Sequence, residues 1–377
     1  MKGKTRGKQG GMDLAYLMGL DIGGANTKVC YLRIDGGQLT GAGGNSVYYE
    51  LWRNPNGLGK VLRDFPPPAL VCEERLAGIA LTMTGELCDC FTSKAQGVLA
   101  IFAAVADSFP GVPIYTWTVN GAFISPQELT SQPGQAAAAN WLASALALAQ
   151  SPSLTKAAAI FADMGSTTTD ILSLASGRVL ARGRTDTERL LAGELIYTGI
   201  LRTSVDAVVK EVYLDGQICS VAHEYFTVMA DVYRLLGQIA EADYTAATPD
   251  GGGKDRESCA RRLARLVAAE AEVLGEDAIC RLACCIREKQ LQQVMDGMLR
   301  HASRKEMTRS RYFITAGQGS FLLKTAAERL GWQETPWWKI MPGAGPDLPM
   351  AAYAVAWLLA QRLYPRLEEK EEERDVG

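Results

Sequence analysis

The chain has 377 residues and a formal net charge of −3, with 47% apolar and 21% charged residues, a globular balance at a length that allows two lobes. The charge gives no electrostatic reason to expect nucleic acid, and the longest apolar run, residues 351–360, falls well short of the ~20 residues a membrane helix needs. Nine cysteines and two histidines without a C-x-x-C pair argue against a zinc site or a disulfide framework and favour reduced thiols in the cytoplasm.

Lys2, Lys4, Arg6 and Lys8 stand among glycines without the apolar stretch of a signal peptide, so residues 1–12 are expected to form a disordered arm. Residues 15–32 read as two apolar strands around Asp21-Ile22-Gly23-Gly24-Ala25-Asn26-Thr27-Lys28, a β-hairpin closed by small residues. Pro66 and Pro68 mark a turn, residues 77–83 a buried strand, and Val98, Leu99, Phe102, Val105 and Phe109 recur at helical spacing. Ser151-Pro152-Ser153 breaks the chain, which places lobe I at 13–150 and lobe II at 151–345. Residues 157–174 then repeat the first pattern around Asp163-Met164-Gly165-Ser166-Thr167-Thr168-Thr169-Asp170.

The second half is expected to be mostly helical. Tyr225, Phe226, Met229, Val232, Leu236 and Ile239 make one stripe, and residues 261–274 and 278–299 make two more. Residues 250–253 form a loop. A short strand at 312–315 runs into Ala316-Gly317-Gln318-Gly319-Ser320. A helix within 346–364 is expected to pack back on the core, followed by a charged tail at 365–377.

A turn rich in small residues lets backbone N–H groups approach phosphate oxygens. Gly23, Gly24, Asn26 and Thr27 of the first turn, and Gly165, Ser166, Thr167, Thr168 and Thr169 of the second, are therefore candidates for a diphosphate or nucleotide. Lys28 adds a cation, while Asp21, Asp163 and Asp170 are candidate Mg2+ ligands. Gly317 and Gly319 lie where a strand enters a helix, a place that turns N–H groups toward an anion. Thr84, Glu86 and Asp89 follow a buried strand and are candidate substrate contacts. Glu194 and Thr198, read as four apart on one helix, are expected to turn a carboxylate and a hydroxyl toward the same cleft. His223 and His301 are read as structural or surface residues. Two such hairpins and a third Gly-rich segment imply an α/β, actin-like (ASKHA, ribonuclease H-like) two-lobed fold with a duplicated mixed-sheet core. Both hairpins are then expected to face one cleft.

Thr82-Met83-Thr84-Gly85-Glu86-Leu87, Gly165-Ser166-Thr167-Thr168-Thr169-Asp170 and Gly193-Glu194-Leu195-Ile196-Tyr197-Thr198-Gly199 together resemble the hydantoinase/oxoprolinase-related proteins of tetrahydromethanopterin-linked one-carbon transfer. The likeness runs from about Met18 to about Ala360, and includes Asp231 to Gly237 and the region from Tyr244 to Arg265. Thr248-Pro249-Asp250-Gly251 departs from the expected Thr-Ala-Asp-Gly. The resemblance implies a transferase of methanofuran or methylofuran biosynthesis. In it a phenol attacks the methylene carbon of an (aminomethyl)furanylmethyl diphosphate, and diphosphate leaves. Asp21, Lys28, Asp163 and Glu194 are the catalytic candidates, Mg2+ is the expected cofactor, and the partners are the small-molecule diphosphate and phenol. Assembly into a homo-oligomer is left open. A kinase or a hydantoinase-like ATPase of the same fold, and a non-catalytic nucleotide-binding protein, are the competing readings.

Overall fold

The computed structural model describes residues 14–65, 76–307 and 312–365. The expected arm at 1–12, the turn at Pro66 and Pro68 and the tail beyond 365 lie outside them. The chain divides into two compact units, one built from the residues up to Ser151 with those from Trp338 on, the other from Pro152 to Trp337. The return to the first unit comes at Trp338, within the short helical turn Trp337–Lys339 that follows the last strand of the second unit, ahead of the expected 346.

In the first unit the run of apolar residues makes β1 (Ala15–Ile22) a central strand, buried along nearly its whole length. Antiparallel β2 (Asn26–Asp35) and β3 (Gln38–Tyr48) continue the sheet on one side. On the other side lie β4 (Leu76–Met83) and β5 (Ile114–Trp117), each parallel to its inner neighbour, and then antiparallel β6 (Phe123–Ile124). The order is β3-β2-β1-β4-β5-β6. Met18, Leu20, Ile22, Val29, Leu81 and Met83 pack into one core with Val98, Ile101 and Val105 of the helix Lys94–Ser108. The helix Met350–Leu363 lies against β1, β2 and β4, with the helix Asn140–Gln150 beside it.

The second unit repeats this plan. β7 (Ala158–Met164) pairs antiparallel with β8 (Thr169–Ala175), which is flanked by the short β9 (Arg178–Val179) and β10 (Leu195–Ile196). A separate hairpin is formed by β11 (Glu211–Leu214) and β12 (Gln217–Ser220). Parallel β13 (Tyr312–Ala316) returns beside β7, with β14 (Gln333–Pro336) outside it. The order β10-β8-β7-β13-β14 matches β3-β2-β1-β4-β5 strand for strand, so the expected duplicated mixed sheet is present. Among the described residues no helix is long and apolar enough to cross a membrane.

Three expected helices differ. The stripe from Tyr225 to Ile239 is helical only at Met229–Leu235, because Thr227 and Val228 are held extended by backbone bonds from Val205 N–H to Thr227 O and through a bridge between Ser204 and Val228. The stripe at 261–274 breaks into Arg256–Arg265 and Ala271–Leu274 around Ala268, whose φ of 53° no right-handed helix contains. Glu194 to Gly199 is not a helix but contains β10, so Glu194 and Thr198 do not share a helical face.

Candidate functional site

Both hairpin turns tie back their carbonyls and leave N–H groups outward. In the first, Gly23 N–H closes the turn on Asn26 O (2.9 Å), Leu51 N–H donates to Gly24 O (2.9 Å) and Tyr49 N–H to Ala25 O (3.0 Å). In the second, Gly165 N–H closes on Thr168 O (2.9 Å), and Ile200 N–H donates to Gly165 O (3.1 Å). Leu201 and Arg202 N–H both reach Ser166 O (3.0 and 2.8 Å), and Thr203 Oγ1 reaches Thr167 O (3.4 Å). Among the described residues the N–H groups of Gly24, Ala25, Ser166 and Thr167 make no hydrogen bond. A turn whose oxygens are engaged and whose donors are open attracts anions, since the carbonyl dipoles that would repel them are already satisfied.

Side chains one pair back from the turns differ between the copies. Asp21 and Lys28 are partners across β1 and β2, and Lys28 Nζ lies 3.2 Å from Asp21 Oδ2. Asp21 is buried, Lys28 is partly exposed, and Asp21 Oδ1 has no hydrogen-bond partner among the described residues. The corresponding pair in the second hairpin is Asp163 and Asp170. Asp170 is closed by the buried Arg189, whose guanidinium is 2.5 Å away and also donates to Glu194 O. Asp170 is therefore an ion-pair partner, not an open metal ligand. Asp163 is half-buried and lies against the next Gly-rich segment: a Cβ on Gly317 would sit 2.3 Å from both Asp163 Oδ1 and Met164 O. With φ of +83° as well, that position admits only glycine without displacement.

The segments after β4 and β13 occupy equivalent places. Thr84 N–H donates to Ile22 O (3.0 Å), and Gly319 N–H donates to Met164 O (2.8 Å), each reaching the residue after the strand-end aspartate. The correspondence between Thr82-Met83-Thr84-Gly85-Glu86 and Thr315-Ala316-Gly317-Gln318-Gly319 was not legible from their residues. Glu86 is buried and accepts from Ala138 N–H (2.8 Å), while Asp89 is exposed.

Several expected ligand contacts have structural partners instead. Glu194 is fully buried. Its oxygens accept from Arg182 N–H (2.8 Å), Gly183 N–H (3.0 Å) and Arg304 (3.0 Å). A carboxylate engaged by three donors anchors its loop, so the structure gives Glu194 a structural place among its neighbours. Thr169 donates its hydroxyl to Thr198 O (2.6 Å), and Thr198 Oγ1 accepts from Gln290 (2.8 Å), so both are buried supports of the turn. Thr27 is also fully buried, on the face of β2 that carries Val29 into the core. Among the described residues no three His, Cys, Asp or Glu side chains are grouped to hold a metal.

Gln290, Arg189 and Arg262 escaped the sequence reading. Each is a polar residue fully or almost fully buried on a helix, and Gln290 interrupts the apolar face of Ile286, Val294 and Met298, a signal in retrospect. Arg262 explains the motifs between Asp231 and Arg265: it binds Asp231 (2.7 Å), Asp250 (3.1 Å) and Gly253 O (3.0 Å), while Tyr244 OH donates to Asp231 (3.1 Å). That region is a buried ionic clamp on the loop containing Asp250.

The hydantoinase/oxoprolinase family profile matches residues 78–343. A Methanocaldococcus jannaschii protein described as (4-{4-[2-(gamma-L-glutamylamino)ethyl]phenoxymethyl}furan-2-yl)methanamine synthase is 33% identical over 349 residues, 92% of this chain and 98% of the relative. A Methanococcus vannielii protein of the same description is 29% identical over 45% of this chain and 75% of its own length. The structure of nucleotide-free acetone carboxylase, from work on ATP-dependent acetone carboxylation, is similar with a TM-score of 0.51 at 11% identity, over 92% of this chain and 70% of that one. The fold is the actin-like α/β fold with its mixed sheet duplicated.

Proposed function

The chain belongs to the hydantoinase/oxoprolinase family, and from that premise we propose that it is a transferase of methanofuran biosynthesis that joins an (aminomethyl)furanylmethyl diphosphate to a phenol. The phenol oxygen forms a bond to the methylene carbon, and the carbon–oxygen bond to diphosphate breaks with its electron pair leaving on diphosphate. The phenol proton passes to a carboxylate. The electron-rich furan supports positive charge on the departing carbon, so the protein's main task is to hold the leaving group.

The observation that carries this reading is the first turn, where the N–H groups of Gly24 and Ala25 have no partner among the described residues and Lys28 follows on the strand that leaves the turn. Donors already in place stabilise charge as it develops on diphosphate without reorganising. The whole-length likeness to the synthase supplies the substrate class. The segments packed on this turn also expose Tyr48, Trp52 and Leu87, large apolar side chains suited to an aromatic ring next to the anion. Of the three carboxylates considered for the phenol proton, Glu194 is engaged by three donors and Glu86 is buried, while Asp163 is half-buried.

Mg2+ fits the first turn in a limited way. Asp21 Oδ1 is a buried oxygen without a partner, but one carboxylate is not a metal cage. Mg2+ commonly keeps its waters and binds through one or two carboxylates and the substrate phosphates. Asp21 would hold it through that oxygen, and the ion would supply charge neutralisation on diphosphate.

The test is to incubate the protein with the furanylmethyl diphosphate and γ-glutamyltyramine or a tyrosine-type phenol, following diphosphate release and product mass together. Equal amounts of ether and diphosphate without ATP are expected. A strict ATP requirement with ADP released in step would overturn the reading in favour of an ATPase mechanism.

A further inference from the structure

Gln290 lies midway along the helix Glu276–Ala302 and is completely buried, yet every polar atom of its amide is used. Its Oε1 accepts from Tyr233 OH, and its Nε2 donates to Thr198 Oγ1 (2.8 Å) and Gly199 O (2.9 Å). Those two acceptors begin the segment from Thr198 to Thr203 that engages the carbonyls of the second turn. The segment is also locked sideways, with Gly199 N–H donating to Thr203 Oγ1 (2.8 Å) and Thr198 O accepting from Thr169 Oγ1 (2.6 Å). At Gly199 the two backbones touch: a Cβ there would lie 2.4 Å from Thr167 N and 2.6 Å from Ser166 C.

We propose that Gln290 is the positioning residue of the second anion turn, fixing the segment 198–203 so that the carbonyls of Gly165, Ser166 and Thr167 stay engaged and the N–H groups of Ser166 and Thr167 stay presented. The geometry is over-determined for a purely local turn. The hairpin closes itself through Gly165 and Thr168 and needs no outside support to be a hairpin. What the outside support adds is carbonyl occupancy, the property that separates an anion cradle from an ordinary turn. An amide suits the task because one end accepts from Tyr233 while the other donates twice, a combination neither a carboxylate nor a leucine reproduces. The consequence for ligand binding rests on reading this turn, like the first, as a candidate for binding a diphosphate; the positioning itself does not.

The experiment compares the wild type with Gln290→Leu, Gln290→Glu and Thr198→Val. Amide hydrogen exchange is measured over 165–168 and 199–203, and binding of inorganic diphosphate with Mg2+ by calorimetry. In Gln290→Leu the N–H groups of Ile200, Leu201 and Arg202 should exchange at least ten-fold faster, with diphosphate affinity falling about ten- to hundred-fold and KM for the diphosphate substrate rising more than kcat falls. Gln290→Glu should recover affinity as the pH is lowered, because a protonated carboxyl regains one donor; Gln290→Leu should not. Thr198→Val removes one acceptor and should show the same pattern more weakly, which keeps the question open to test if Gln290→Leu does not fold. Unchanged exchange at 199–203 in a folded variant would overturn the proposal. A wild type that binds no diphosphate, with variants whose exchange still rises, would sink the ligand assignment and leave the positioning standing.

Discussion

Asp21 and Lys28 form an ion pair across the first hairpin, with Lys28 Nζ 3.2 Å from Asp21 Oδ2, while their counterparts Asp163 and Asp170 are two carboxylates, the second closed by Arg189. The duplicated plan thus carries opposite charges at one equivalent position, a lysine at 28 and an aspartate at 170. The first hairpin has a partly exposed cation, and the second has a cation buried in the interior.

Lys28→Ala is expected to lower turnover by roughly 10²–10³ with a smaller change in substrate affinity, as for loss of one preorganised charged donor. Lys28→Arg should retain part of the activity. Single-turnover diphosphate release and a binding isotherm separate the two effects, with circular dichroism as the folding control. A folded Lys28→Ala protein at wild-type turnover would show that the backbone alone holds the phosphate.

Asp170→Asn should act on stability first. It removes the shorter of the two ion pairs of Arg189, which is only 2% exposed, and leaves the one to Asp186 at 3.7 Å, and is expected to cost about 2 kcal/mol. Asp21→Asn, by contrast, should leave the melting temperature within a few degrees and abolish most turnover. Thermal melts beside activity assays check the contrast; a drop in stability for Asp21→Asn equal to that for Asp170→Asn would refute it.

Replacing Gly317 by Ala puts a methyl group on the Asp163 carboxylate and on Met164 O. A loss of about a hundred-fold in activity is expected with Asp163 as a catalytic candidate, since misplacing a reacting group by about an ångström costs that much. Gly331→Ala serves as the control: it also has a positive φ, 69°, but open space around it, so backbone strain alone should not disturb activity.

The buried clamp should be the least tolerant element of the second unit. Arg262→Met leaves Asp231 charged and buried, and should destabilise by about 3–5 kcal/mol in urea unfolding. The loop containing Asp250 should become sensitive to proteolysis in the same variant.

Stability should fall in mild acid through His301. The ring is completely buried, with Nδ1 3.0 Å from Ser173 Oγ and Nε2 3.2 Å from Gly193 O. Burial, helped by Arg304 and Arg300 and opposed by the Gly193 carbonyl and Glu194, pushes its pKa down from 6.5 to about 4. The unfolded chain then binds a proton that the folded one refuses. Stability from this group is complete above pH 6.5 and is lost as the pH falls toward 4, by a few kcal/mol in all. Urea midpoints at pH 7, 5.5 and 4 should show that decline in the wild type and a shallower one in His301→Gln.

The hairpins, their turns and the duplication were legible in the sequence because they are local: strand-length apolar runs around Asp-x-Gly and a threonine specify both strands and the turn that joins them. The same is true of the helix Met350–Leu363, whose apolar run stands alone. The roles of the polar residues were a different matter. Glu194 read as one candidate base and is buried among donors from Arg182 and Gly183 on the preceding segment and Arg304, 110 residues further along the chain. Asp170 read as a metal ligand and is an ion-pair partner of Arg189 in the folded chain. Local pattern sets the backbone, since φ and ψ respond to neighbours in sequence. Whether a carboxylate is free to act depends on which donors the folded chain brings to it, and those contacts exist only in the tertiary structure.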